Sequence, residues 1–177
     1  MGIFDLLFKN KSAPGSIEID DSGTGSLYGG IVIFLTDGNN DFSRDVPITL
    51  FGIGENNERF LAVQKEVLKI IRSGLKRLKA DKKRTTITVC QGNTFDLAVH
   101  ELRRSGYMIE RTRVEGRTNE LAEQAFKELL EKKYGITGYD PKNYKGENLR
   151  QYAILKKRRD FKNVKRFSKG VREIEAQ

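Results

Sequence analysis

Three strand-like runs stand before the first helical repeat, and beyond it helices and strands alternate. That order, more than any other feature, limits the folds open to this chain. Ser16 to Asp20 reads as a first strand carried by Ile17 and Ile19. Tyr28 to Thr36 is a strongly apolar run and reads as the second strand. Asp37-Gly38-Asn39-Asn40 is a hairpin signal, and Asp45 to Ile53 is predicted as the third, antiparallel strand, with Pro47 marking an edge or a bulge. Phe60, Val63, Val67, Leu68, Ile71, Leu75 and Leu78 then recur at helical spacing, which predicts a long helix from about Glu55 to Lys79. The β-branched stretch Thr85 to Cys90 reads as a central strand ended by Gln91-Gly92-Asn93. A short helix from Thr94 to Arg104, a strand from Tyr107 to Val114, and a helix from Asn119 to Tyr134 stopped by Gly135 complete the pattern. The order β-β-β-α-β-α-β-α predicts an α/β domain: a mixed five-stranded sheet with an antiparallel meander on one side and flanking helices.

At 177 residues the chain has room for one such domain and an appendage. The pattern divides it into an N-terminal amphipathic segment and linker (residues 1–15, with Phe4, Leu6, Leu7, Phe8 and Pro14), a body (residues 16–140) and a basic tail (residues 141–177). The net charge of +9 is unevenly placed: the tail holds twelve Lys and Arg against four Asp and Glu, the remainder 21 against 20. A basic tail on a nearly neutral body is suited to a polyanion, and equally to a solvated end. No apolar run is long enough to span a bilayer and no cleavable leader is evident, so a soluble cytoplasmic protein is expected. The single Cys90 excludes an internal disulfide; with His100 the only histidine, Cys/His zinc sites are disfavoured.

The sharpest local feature is Asp20-Asp21-Ser22-Gly23-Thr24-Gly25. Two adjacent carboxylates at the end of a buried strand are costly unless a cation or hydrogen bonds compensate them. Mg²⁺ takes oxygen ligands, including one or two carboxylates. Glycines at 23 and 25 would let a nucleic-acid backbone approach closely. The plainer alternative is a turn in which Asp caps its own backbone.

This run, with Tyr28-Gly29-Gly30 after it, resembles the first motif of the ribonuclease HII and HIII family, and the element order resembles the ribonuclease-H-like arrangement. The resemblance implies that Asp20 and Asp21 are metal ligands for Mg²⁺ or Mn²⁺, and that Gly23, Thr24 and Gly25 face the substrate. Val89-Cys90-Gln91-Gly92-Asn93 is similar to the family's second motif, which puts Gln91 and Asn93 beside the substrate. Gln91 stands where the family has a metal-binding Asp, and Thr24 where it has a basic residue. The family's last acidic residue follows the fifth strand, where Glu115 is the nearest position.

Glu120 and Glu123 form a further acidic pair, spaced like that of the last helix in RuvC-like resolvases, although their helical phase fits a solvated face. In the tail, Lys156, Lys157, Arg158, Arg159, Lys162, Lys165 and Arg166 interleave with Tyr152, Phe161 and Phe167. Cations bind phosphates and aromatics stack on unpaired bases; the aromatic spacing also suits a stripe docked on the body.

Three functions follow as expectations. The first is a divalent-metal-dependent nuclease acting on an RNA/DNA hybrid or branched DNA, with Asp20, Asp21, Glu120 and Glu123 as catalytic residues and Asp20, Asp21, Glu115 and Glu123 as metal ligands. The second is a catalytically degenerate nucleic-acid-binding or assembly module on the same scaffold, favoured by Gln91. The third, from the similarity of Asp21 to Ser26 to the first phosphate loop of actin-like ATPases, is a nucleotide-binding domain.

Overall fold

A computed structural model describes residues 15–52, 56–165 and 169–177. The predicted N-terminal amphipathic segment lies outside the described residues, apart from Gly15, as do Arg166 and Phe167 of the tail. The strands are β1 (Ser16–Ser22), β2 (Ile31–Thr36), β3 (Asp41–Val46), β4 (Thr86–Val89) and β5 (Met108–Arg111); the helices are α1 (Asn56–Arg77), α2 (Asp96–Arg104), α3 (Arg117–Tyr134), α4 (Tyr144–Arg158) and α5 (Lys169–Glu175). They form one mixed sheet in the order β3-β2-β1-β4-β5. The pairs β3/β2 and β2/β1 are antiparallel; β1/β4 and β4/β5 are parallel. The predicted element order and the mixed five-stranded sheet are present.

Side-chain alternation divides the sheet into two cores. On one face Ile17, Ile19, Ile33, Leu35, Ile87 and Val89 pack against Val63, Val67, Ile70 and Ile71 of α1 and Val99 and Leu102 of α2. On the other, Val32 with Leu27 and Tyr28 meets Phe126, Leu130 and Tyr134 of α3. All six residues of β2 are buried, because helices cover both of its faces; this accounts for its continuous apolar run.

The third strand differs from expectation. It begins at Asp41 and ends at Val46, because Pro47 supplies no N–H to the ladder and the chain turns into a 3-10 segment at Ile48–Phe51. Its solvent-facing residues are polar, so the edge strand carries little hydrophobic signal. The final strand is also shorter than predicted and ends at Arg111.

The basic tail is not a loose end. Leu155, Val164 and Val171 are buried in the second core with Phe126 and Leu130. Val164 bridges to Tyr28, while the Gly29 N–H donates to the Asn163 carbonyl (3.1 Å) and the Lys165 N–H to the Leu27 carbonyl (2.9 Å). Residues 163–165 therefore run beside residues 27–29 like an added strand. Phe161 and Val164 do pack on the body, as the alternative of a docked stripe expects, but from a 3-10 turn at Phe161–Asn163 followed by extended backbone at Val164. Leu155→Ala should thus lower the unfolding free energy by about 2–4 kcal/mol. Urea unfolding tests this: a change within about 0.5 kcal/mol, typical of a surface position, would mean that α4 is peripheral.

Candidate functional site

β1 does not stop at Asp20. It pairs through Ser22, with Asp20 opposite Phe34, Asp21 opposite Ile33 and Ser22 opposite Val32. Neighbouring residues within a strand face opposite sides of the sheet, and the two carboxylates follow that rule. Asp20 faces α3, where its Oδ2 accepts from the Asn119 amide at 3.3 Å; its Oδ1 accepts from the Asp21 N–H at 2.9 Å. It is 3% exposed. Burial raises its carboxyl pKa to about 6, against hydrogen bonds from Cys90 and the Asp21 N–H and with repulsion from Asp21 and Glu123. Asp21 faces the α1 side, accepts from the Thr24 hydroxyl, and lies beside Gly92. Burial raises its pKa, opposed by Thr24 and by the charge of Lys165.

The turn that follows is filled from within. Gly23 has φ +95°, and a Cβ there would lie 2.2 Å from the Phe126 ring. The glycine is required because α3 presses an aromatic ring onto the backbone, so its bare Cα faces protein. Thr24 and Gly25 are exposed at the tip. Beneath them sits Lys165, 1% exposed, whose ammonium donates to the carbonyls of Gly23 (2.9 Å) and Ser26 (2.7 Å) and lies 5.3 Å from the centre of the Phe51 ring. Burial lowers its pKa to about 7, opposed by the charge of Asp21. Gln151 adds a second clasp: its Oε1 accepts from the Ser26 hydroxyl (3.1 Å) and the N–H groups of Leu27 (2.7 Å) and Tyr28 (3.2 Å).

At the end of β4, Gln91 and Asn93 have exposed side chains and act through their backbones. The Gln91 and Gly92 carbonyls each accept from Arg111 at 2.8 Å. The Asn93 carbonyl accepts from the Gln64 amide at 2.7 Å. Gln64, buried on α1, thus ties that helix to the loop after β4.

The other predicted acids are dispersed. Glu115 is solvent-facing and ion-paired with Arg113 at 3.0 Å. Glu120 is exposed on the first turn of α3. Glu123 is half-buried; burial raises its pKa, Lys142 opposes that, and its charge reaches Asp20. Glu120 and Glu123 line a shallow cleft with Tyr139, Asp140 and Lys142. Asp20 and Glu123 therefore share one face of the sheet while Asp21 occupies the other. Among the described residues, no three His, Cys, Asp or Glu side chains form a group that could hold a metal ion. Of the expected ligands, Asp21 faces away from Asp20 and Glu123, and Glu115 is paired with Arg113, so the four do not gather around one ion.

The tail cations are partly consumed by the fold. Arg158 donates to the carbonyls of Tyr134 (2.8 Å) and Gly135 (3.2 Å), and Arg159 donates to the Ile174 carbonyl (3.0 Å) and stacks over Phe161. Lys156 and Lys157 are exposed. No helix among the described residues is long and apolar enough to cross a membrane. No protein-family model matches the chain, and no curated protein matches it in sequence.

Sequence reasoning missed Gln151 and Gln64, and placed Lys165 among the phosphate-binding tail cations rather than beneath the turn. Nothing local separates Lys165 from the other tail lysines; Val164 just before it was the one apolar hint of burial.

Two pH-dependent outcomes follow. A carboxyl whose pKa is raised from 3.8 to about 6 by folding contributes stability below pH 3.8 that is lost as pH rises through 6. Asp20→Asn should therefore gain on the wild type between about pH 4 and pH 6, by on the order of 2 kcal/mol, with the advantage held at pH 8. A pH-independent difference in urea unfolding would show that Asp20 titrates normally. Lys165 behaves oppositely. Its pKa is lowered from 10.5 to about 7, so its contribution grows as pH rises from 7 toward 10.5 and is lost as pH falls through 7. Lys165→Met should be destabilised relative to wild type, and the deficit should widen by roughly 1 kcal/mol per pH unit above 7. A deficit constant from pH 7 to pH 10 would contradict this.

Proposed function

We propose that this protein is a ribonuclease-H-like scaffold that binds nucleic acid without cleaving it. The sheet order β3-β2-β1-β4-β5 and the connection of β4 and β5 through helices support the scaffold assignment. One observation carries the non-catalytic reading. Where two-metal chemistry would need carboxylates converging on a divalent ion, a buried ammonium from Lys165 occupies the base of the turn, and Asp20 and Asp21 diverge. The neutral Gln64 and Gln91 at the end of the sheet agree with that reading. The excess of positive charge supports a polyanionic partner, with an RNA/DNA hybrid or a branched DNA as the substrates to test.

The nuclease reading retains one specific support: Asp20 and Glu123 both belong to the α3 face, where the charge of Glu123 adds to the rise in the Asp20 pKa. The two readings separate experimentally. Calorimetric titration with Mg²⁺ and Mn²⁺ should give no saturable heat, hybrid and branched DNA should remain intact, and binding by fluorescence anisotropy should be the same in EDTA. Metal-dependent cleavage that disappears in Asp20→Asn would restore the nuclease.

A further inference from the structure

We infer that the nucleic-acid backbone is held at the opposite end of the sheet from the acidic turn, on a patch built from the end of α1 and the loop into β4. This inference rests on the nucleic-acid-binding reading above and names the surface that does the binding. Residues 76–84 contain six cations, Lys76, Arg77, Lys79, Lys82, Lys83 and Arg84, against a single acid, Asp81. All six are exposed.

Topology gathers further charge at the same end. β4 and β5 are parallel, so the helices leading into them finish on the side where both strands begin. The C-terminus of α1 is thereby placed with that of α2, which ends in Arg103, a donor to the Ile109 carbonyl (3.3 Å), and Arg104, paired with Glu101. Lys82 lies 5.5 Å from the centre of the ring of Tyr107, the residue just before β5, and so joins the two connections.

The loop is held rather than free. Asp81 spends its carboxylate on the Lys83 N–H (2.8 Å), its carbonyl accepts from the Thr85 N–H (2.8 Å), and its own N–H donates to the Thr85 hydroxyl (2.9 Å). Thr85 is buried. The acid of the loop is thus absorbed internally while the flanking cations face outward. Cations in the last turn of a helix also complement its dipole, which accounts for Lys76 and Arg77. It does not account for Lys82, Lys83 and Arg84, which lie beyond the helix.

Of the neighbouring acids, Asp41 is exposed in the cleft beside Arg77 and Lys79, while Glu101 and Asp37 are engaged. Glu101 pairs with Arg72 and Arg104. Asp37 accepts from Asn39 and Asn40 within the β2–β3 hairpin, which borders a cleft alongside Arg77 and Lys79. A surface of outward cations spread over several elements fits a repeating polyanion better than a single phosphate. The apolar residues of the segment, Leu78 and Ala80, pack against the core, so the patch offers nothing to insert into a lipid surface. Part of the tail differs: Lys165, Arg158 and Arg159 are committed to internal carbonyls, while Lys145, Lys156, Lys157 and Lys162 are exposed and serve as the comparison.

The test compares two variants of equal charge change. One carries Lys76→Glu, Lys82→Glu, Lys83→Glu and Arg84→Glu; the other carries Lys145→Glu, Lys156→Glu, Lys157→Glu and Lys162→Glu. All eight positions are exposed, and circular dichroism verifies that both variants fold. Binding of a labelled RNA/DNA hybrid and a DNA duplex is followed by anisotropy at several salt concentrations. The first variant should lose at least about ten-fold in affinity, and its dependence of log K on log salt should shallow by about 3 to 4. The second should change several-fold less. Greater loss in the tail variant would overturn the placement while leaving the nucleic-acid reading intact. Failure of the wild type to bind either nucleic acid would overturn both. Tighter binding to phosphatidylserine vesicles than to nucleic acid, abolished by the first variant, would replace the partner with a lipid surface.

Discussion

The structure depends on how the backbone between β1 and β2 is satisfied. Ser26, Leu27 and Tyr28 are buried immediately after a strand. Buried N–H and C=O groups must find partners, and this segment has no adjoining strand of the body to supply them. The tail supplies them instead: Gln151 takes two N–H groups and a hydroxyl through one oxygen, Lys165 takes two carbonyls, and residues 163–165 add backbone bonds. These partners lie more than 120 positions away in sequence. The second core cannot close without them, because Leu155 and Val164 ride on the same segment.

That clasp also determines the electrostatics of the acidic turn. A lysine buried without a full counterion is expensive, and the fold retains it because two carbonyls and the nearby Asp21 compensate. The same ammonium opposes the rise in the Asp21 pKa. Asp20, on the other face, is raised by burial and by the like charges of Asp21 and Glu123. Two adjacent carboxylates thus meet two environments, and the parity of the strand is the cause.

Much of the architecture was legible because it rests on local periodicity. The apolar run of β2, the helical repeat from Val63 to Leu75 and the Gly135 stop, which has φ +61°, each state their conformation in a few residues. β3 was misplaced because an edge strand needs only one half-buried face, and Asp41-Phe42-Ser43-Arg44-Asp45-Val46 offers two apolar side chains. The acidic turn was read as a strand end, which would have allowed Asp20 and Asp21 to converge; two further paired residues reverse that geometry. Lys165 and Gln151 were illegible for a different reason. Their burial comes from long-range packing, and a polar residue whose partners are distant backbone groups leaves no periodic trace.

Charge counting is subject to the same limit. The tail holds most of the net positive charge, yet charge available to a partner is what remains after internal contacts are made. Lys165 points inward at backbone carbonyls, Arg158 and Arg159 cap the ends of helices, and Arg150 is bound by Glu147. In residues 76–84 the one acid is turned onto its own loop and the cations are left exposed. A nearly neutral body can therefore present a concentrated positive surface of its own. Net charge along a sequence reports how many cations there are, and folding decides which of them a phosphate can reach.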